Sequence, residues 1–210
     1  MTGTLPPTLA ELVDRIRAAQ DELEAEIEVR RARFAYRIER RRVVFEAEMR
    51  RRHKALKAAL LPYLLGVRLK VLVTAPVIYA LIVPLALLDL CVSLYQAVCF
   101  PAYGIAKVRR RDHVVIDRHH LAYLNGVEKL NCVYCGYANG VIAFAREVAA
   151  RTEQYWCPIK HALRVAGVHG RYAGFADYGD AEGFREDLPL LRAELAAEGQ
   201  ALAGGAATRG

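Results

Sequence analysis

The chain has 210 residues, a formal net charge of +7 and a hydrophobic content of 54%. The length fits one modest domain with appendages. The hydrophobic content is slightly above that of an ordinary soluble protein, and the surplus lies mainly between residues 71 and 106. A buried helix of a soluble domain would rarely stay apolar on every face for so long, so this run predicts a membrane segment.

Residues 8–61 are predicted to form one long charged helix, which Thr8 and Glu11 begin as a capping box. Apolar residues recur every eleven positions in two rows, which makes a narrow, nearly straight stripe on a helix. The rows are Leu12, Leu23, Phe34, Phe45 and Leu56, and Ile16, Ile27, Ile38 and Met49. Such a stripe needs a partner, so we expect a coiled coil, most simply a homodimer. Packing against the same chain or lying on a membrane are the alternatives.

Charge is segregated along this predicted helix. Seven acidic residues lie between Thr8 and Glu28, and twelve Lys or Arg residues lie between Arg30 and Lys57. The basic half directly adjoins the apolar segment, which favours anionic lipid headgroups over nucleic acid as its partner. The acidic half would project into the cytoplasm, free to meet a basic protein. The predicted membrane-surface basic residues are Arg50, Arg51, Arg52, Arg109, Arg110 and Arg111.

Residues 71–106 are predicted to be the membrane segment, because this run contains no Lys or Arg and a single charge, Asp89. Its 36 residues are long for one span and short for two. Both flanks are rich in Lys and Arg, which favours the cytoplasmic side for both. We therefore expect a membrane hairpin with its bend between Pro84 and Asp89, either crossing fully or re-entrant. One long span is the alternative.

Residues 107–175 are predicted to form a cytoplasmic helical unit that carries Cys132, Cys135, Cys157 and His161. The expected helices cover residues 117–130 and 138–155, with a turn at the CVYC segment between them. A Cys pair on a turn and a Cys-x3-His pair elsewhere are how structural zinc sites are assembled. The sequence therefore predicts a zinc staple with these four ligands, and iron is the alternative metal. A redox-active dithiol and simple packing are the other interpretations.

His119 and His120 are additional candidates, either as a further metal ligand or as a catalytic base. Helix-surface residues are the simpler interpretation. The patterns of di-iron proteins, zinc hydrolases and nucleotide-binding loops are absent from the sequence. Residues 176–210 are predicted to contain a short helix, near residues 187–197, and a disordered tail.

The segments HHLAYLNGVEKLNCVYC and RTEQYWCPIKHA resemble a family of small bacterial membrane proteins whose function is uncharacterised. The resemblance covers residues 110–164 and implies a bacterial, membrane-associated protein that bears Cys and His. No signal-peptide pattern begins the sequence, so the membrane segment is expected to direct insertion into the inner membrane, with cytoplasmic termini.

These features together predict a membrane-anchored interaction or scaffold protein with an unidentified protein partner. A membrane-bound metal- or thiol-dependent enzyme, acting on a lipid, a quinone or a membrane-proximal substrate, is the alternative. In that case Cys132, Cys135 or Cys157, with His119 or His120, would carry the chemistry. The sequence does not decide between the two.

Overall fold

The computed structural model describes residues 9–33, 36–39 and 42–207, and this part of the chain is mostly helical, as predicted. The elements in chain order are α1 (Leu9–Arg33), β1 (Tyr36–Glu39), β2 (Arg42–Phe45), α2 (Ala47–Ala55), α3 (Leu60–Leu65), α4 (Leu69–Ala80), α5 (Ile82–Tyr103), α6 (Arg110–His113), α7 (Gly126–Trp156) and α8 (Ala181–Ala207). Short 3-10 turns lie at Arg118–His120 and Tyr172–Gly174.

The N-terminal region is not the single helix that was predicted for residues 8–61. The helix α1 ends at Arg33, and β1 and β2 then pair as an antiparallel hairpin. Aromatic and β-branched residues favour strands, and here they oppose one another across the hairpin: Tyr36 faces Phe45, with ring centroids 5.4 Å apart, and Ile38 faces Val43. The predicted cap Thr8 and the stripe residue Phe34 lie outside the described residues.

The apolar segment is one helical rod that breaks only at Leu81, between α4 and α5. It runs from Leu69 to Tyr103, 35 residues, and is long and apolar enough to cross a membrane. The predicted hairpin bend between Pro84 and Asp89 is therefore wrong. Pro84 stands in the first turn of α5, where the missing N–H group of proline is tolerated, so the helix continues through it.

The end of α5 is defined by Gly104, whose φ of 68° lies in the left-handed region. The Ile105 N–H donates to the Phe100 carbonyl at 2.9 Å, and the Gly104 N–H donates to the Pro101 carbonyl at 3.3 Å. These two bonds form a Schellman motif, which satisfies the last carbonyls of the helix. The chain thereby turns back toward the middle of the apolar rod.

The returning segment is fixed to α5 by a buried side chain, Gln96. Its amide donates to the Val108 carbonyl at 3.3 Å and accepts from the Val108 N–H at 3.0 Å. Ile105 and Val108 then join a core with residues of α5, α7 and α8. The core residues are Phe100, Ile105, Val108, Phe144, Val148 and Leu195.

The helix α7 is unbroken from Gly126 to Trp156, so the turn predicted at CVYC is wrong. Its start is a capping box in which the Asn125 side chain accepts from the Glu128 N–H at 3.0 Å, and Glu128 accepts from the Asn125 N–H at 2.8 Å. Residues 117–130, predicted as a helix, contain the 3-10 turn, a loop and only the first turn of α7.

The helix α7 runs parallel to the apolar rod. Tyr134, in the first half of α7, contacts Ile78, and Thr152, near the end of α7, contacts Tyr95. Residue numbers therefore increase in the same direction along both helices. The helix α8 crosses the end of α7 and contributes Leu195 to the core. The helix α8 is longer than the short helix predicted near residues 187–197, and it extends to Ala207, into the tail for which disorder was predicted from residue 199.

Two glycines on one face of α7 allow the segment before it to pack closely. A Cβ atom at Gly136 would lie 3.1 Å from the Val115 carbonyl oxygen. A Cβ atom at Gly140 would lie 2.7 Å from the Val114 Cα atom and 2.9 Å from the His113 carbonyl oxygen. Backbone atoms cannot move aside as a flexible side chain does, so Gly140 is required for this contact.

We expect Gly140→Ala to lower the free energy of unfolding by about 1–3 kcal/mol, because the added methyl group overpacks a backbone contact. Thermal unfolding in detergent, followed by circular dichroism, measures the change. Gly126→Ala in the same helix is the matched control, since a Cβ atom there meets nothing within 4 Å. Equal melting temperatures for the two variants would contradict the close packing.

Candidate functional site

The four predicted metal ligands lie at opposite ends of α7. Cys132 and Cys135 occupy its first turns, whereas Cys157 is the residue that ends it. At 1.5 Å per residue, about 33 Å of helix separates Cys135 from Cys157. One chain therefore does not bring the Cys pair together with Cys157 and His161, as a tetrahedral site requires.

The second half of the predicted site is held by a different set of contacts. The His161 N–H donates to the Tyr172 hydroxyl at 2.6 Å, and the two rings stack with centroids 6.2 Å apart. Cys157 and His161 are both exposed. All five cysteines are free thiols.

Within residues 9–33, 36–39 and 42–207, no three His, Cys, Asp or Glu side chains meet closely enough to hold a metal ion. The zinc assignment stays a prediction. In this arrangement the Cys132–Cys135 pair and the Cys157–His161 pair would each need further ligands from outside their own end of α7.

His119 and His120 stand on the 3-10 turn, with their ring centroids 3.9 Å apart. His120 lines an open pocket together with His53 and Arg50 of α2, whereas His119 has a buried Nδ1 with no hydrogen-bond partner among the described residues. The turn thus separates the two histidines into different surroundings. The sequence did not indicate that His53 lies near them.

The most tightly connected polar group on the apolar rod is formed by Asp89, Arg110 and Tyr137. The Arg110 guanidinium donates to both oxygens of Asp89, with its Nη2 2.6 Å from Oδ2 and its Nε 2.9 Å from Oδ1. The Tyr137 hydroxyl donates to Oδ2 at 3.0 Å. The Asp89 side chain is only 13% exposed. The group joins α5, α6 and α7.

The surroundings of this group shift the pKa of both of its partners that lie outside the rod. The hydrogen bonds to Asp89 raise the pKa of Arg110 above its ordinary value. Burial, together with the bond to Asp89, raises the pKa of Tyr137. Both shifts favour a charged Arg110 and a neutral Tyr137 hydroxyl, which are the forms that donate hydrogen bonds to the Asp89 carboxylate.

A second polar network holds the loop after α7 to α7 and α8. The Arg171 guanidinium donates to Glu147 at 3.0 Å, to Glu198 at 2.9 Å and to the side-chain oxygen Oε1 of Gln154 at 2.8 Å. Burial alone would raise the pKa of Glu147, but the hydrogen bonds and charges of Arg151 and Arg171 outweigh it and lower that pKa. These groups satisfy one another, which is typical of a structural network.

The predicted membrane-surface arginines differ in their partners. Arg110 pairs with Asp89, Arg109 pairs with Asp112 at 2.7 Å, and Arg111 also has a partner. In α2, Arg52 pairs with Glu48 at 2.6 Å, whereas Arg50 lines the pocket. The basic clusters are therefore not uniform rows of lipid-facing cations.

Aromatic residues cluster where α5 and α7 end. Tyr103 lies 5.4 Å from Tyr155 and 5.2 Å from Trp156 between ring centroids, and Arg192 of α8 lies over the Tyr155 ring at 4.6 Å. Tyrosine and tryptophan are enriched at the level of lipid headgroups. The cluster stands at the end of the apolar rod.

Comparison with family models, curated proteins and solved structures finds no match for this chain. The resemblance of residues 110–164 to small bacterial membrane proteins therefore stays a prediction that depends on the quoted residues alone.

We expect Asp89→Asn to lower the free energy of unfolding by about 1–2 kcal/mol, because it removes charge-assisted hydrogen bonds and leaves the Arg110 charge without its counterion. Thermal unfolding in detergent measures the change. Glu48→Gln is the matched control: its pair with Arg52 has side chains 75% and 68% exposed, and we expect a loss within about 0.5 kcal/mol. Equal losses would show that the Asp89 pair contributes no more than a surface pair.

Proposed function

We propose that this protein is a membrane-anchored interaction protein of the bacterial inner membrane. The apolar face of the rod contacts lipid, and the unit built from the end of α5, α6, α7 and α8 is held on the cytoplasmic surface as a scaffold. The observation that carries the proposal is the exposure of large apolar side chains along α5. They are Val83, Leu87, Leu90, Leu94 and Val98, each 59–68% exposed.

These five residues recur at intervals of three or four, so they form one stripe along α5. The helices α3 and α4 extend the apolar surface toward the N-terminus with further exposed side chains. They are Leu60, Leu61, Leu64, Leu65, Leu69, Leu72, Val73 and Val77. An apolar patch of this extent on a soluble monomer would favour aggregation. Contact with lipid removes the patch from water and so lowers the free energy.

The opposite face of the rod favours partial embedding over full crossing. The helix α7 lies along it, and the second half of α7 carries the charged residues Arg146, Glu147 and Arg151. Placing these charges in hydrocarbon would cost several kcal/mol each. A rod that lies with one face in the bilayer keeps them at the surface, and it leaves both basic flanks on the cytoplasmic side, in agreement with the positive-inside rule.

The native cysteines test this placement. Cys91 lies on the apolar face of α5 and is exposed, and Cys157 is exposed at the end of α7. In variants that keep one cysteine each, we expect a membrane-impermeant maleimide to modify Cys157 in inverted inner-membrane vesicles but not in intact spheroplasts. Cys91 should react in neither until detergent is added, because lipid covers it.

A cysteine-free variant with Lys57→Cys is the control for the other flank. Partial embedding predicts that residues 57 and 157 react from the same side, whereas full crossing places them on opposite sides. Modification of Cys91 in vesicles as fast as Cys157 would contradict lipid contact altogether.

The helix α1 supplies the proposed protein-binding surface. Leu12, Ile16, Leu23 and Ile27 of the predicted stripe are all exposed on α1. An exposed row of this kind on a helix with both acidic and basic stretches fits a second copy of the same helix. We therefore propose that two copies pair through α1.

We expect Ile27→Asp to raise the dissociation constant of the dimer at least about tenfold, because it places a charge in an apolar contact. Light scattering on the detergent-solubilised protein over a dilution series measures it. Val29→Asp is the matched control, since Val29 is exposed on the other side of α1. A monomeric wild-type protein at every concentration, or equal weakening by both changes, would contradict pairing along this stripe.

A further inference from the structure

An open pocket of about 290 Å³ lies between the β-hairpin, α2 and the 3-10 turn. Two stretches that are far apart in sequence, residues 43–53 and 120–122, line it, and the side chains combine an apolar wall with nitrogen donors. The lining residues are Val43, Val44, Phe45, Arg50, His53, His120 and Ala122. The sequence predicts Arg50 on a long helix and His120 in a separate unit, so it gives no indication that they line one pocket.

The donors of the pocket suit an anion. Arg50 presents a guanidinium, whose fork of N–H groups matches phosphate oxygens, and His53 and His120 add two imidazole rings. Among the described residues that line the pocket there is no carboxylate, and none of the described acidic residues pairs with Arg50. Arg52, two residues on, is in contrast already paired with Glu48.

The ring of His53 is held in place on both sides. Its centroid lies 5.0 Å from that of Phe45 and 5.2 Å from that of Tyr123, both in edge-to-face contact. The Nδ1 atom of His53 is buried and has no hydrogen-bond partner among the described residues. The two ring contacts fix the orientation of the His53 imidazole at the wall of the pocket.

The remainder of the pocket suits the apolar part of an amphiphile. Val43, Val44 and Phe45 form one wall. Three residues after His53 the exposed apolar surface begins at Leu56, and it continues through Leu60 and Leu61 of α3. The pocket therefore stands at the polar margin of the surface that the proposed function assigns to lipid.

We propose that this pocket binds the phosphate group of an anionic phospholipid, with Arg50, His53 and His120 as donors and β2 against the glycerol and first acyl carbons. The inference rests on the proposed membrane contact and deepens it, because it adds a headgroup site to an apolar surface that has no headgroup preference of its own.

The test is titration of the full-length protein, in an uncharged detergent, with three probes: a short-chain phosphatidylglycerol, the matching phosphatidylcholine and inorganic phosphate. Calorimetry gives the dissociation constants. We expect phosphatidylglycerol to bind most tightly, and Arg50→Gln and His120→Gln each to raise its dissociation constant at least about tenfold. Both residues are exposed, so the melting temperature should stay unchanged.

Arg52→Gln and His161→Gln are the matched controls, since they remove the same side-chain types outside the pocket, and they should change the constant less than about twofold. Equal weakening by pocket and control variants would overturn the proposal, because it would mean diffuse attraction to a basic surface. Inorganic phosphate that binds as tightly as the lipid, through the same residues, would overturn the lipid assignment and leave a phosphate site.

Flotation with uncharged phosphatidylcholine vesicles separates this proposal from the proposed function. Wild type, Arg50→Gln and His120→Gln should all float, because the apolar face of the rod is intact in each. Failure of all three to float would contradict membrane contact itself. Flotation of all three with an unchanged preference for phosphatidylglycerol would contradict the pocket alone.

Discussion

Asp89 is the only charged residue between Val71 and Ala106, and the guanidinium of Arg110 meets its carboxylate from the segment that follows α5. A charge withdrawn from water needs a partner, so this pair determines which face of α5 turns toward the rest of the chain. Tyr137 adds a hydroxyl from α7 to the same oxygen that Arg110 contacts most closely. The other face of α5 is left apolar and open, which is why the polar and apolar surfaces of this protein lie back to back.

Composition correctly predicts the long apolar element, but it does not predict where the chain bends. The run without Lys or Arg predicts a long apolar element, and α4 and α5 confirm it. The predicted membrane hairpin is wrong because Pro84 does not break the helix. Pro84 lies in the first turn of α5, where proline removes no intrahelical hydrogen bond. The eleven-residue repeat correctly predicts the helix α1. The repeat continues through Ile38 and Phe45, but there the chain forms the paired strands β1 and β2 instead of a helix.

The turn predicted at CVYC is wrong for a related reason. Gly136, next to CVYC, resembles a turn signal in the sequence, whereas Gly136 and Gly140 form the small face of an unbroken helix on which residues 113–115 pack. Local sequence does not distinguish a glycine that bends the backbone from one that admits a close neighbour. The capping residues Asn125 and Glu128 were a readable signal for the true start of α7. With that start, the cysteines fall along one helix rather than around one point.

The surfaces follow one another along the chain in an order that agrees with the proposed peripheral attachment. The basic pocket comes first, then the exposed leucines of α3, then the apolar stripe of α5, and the aromatic cluster at Tyr103 ends the series. A rod that crossed the bilayer would have to carry the Asp89–Arg110 pair and the charged part of α7 with it. A rod that lies along the surface needs only its open face in lipid, and the ion pair then serves to hold the folded unit against the other face. The same pair that compensates a buried charge would thus also orient the protein on the membrane.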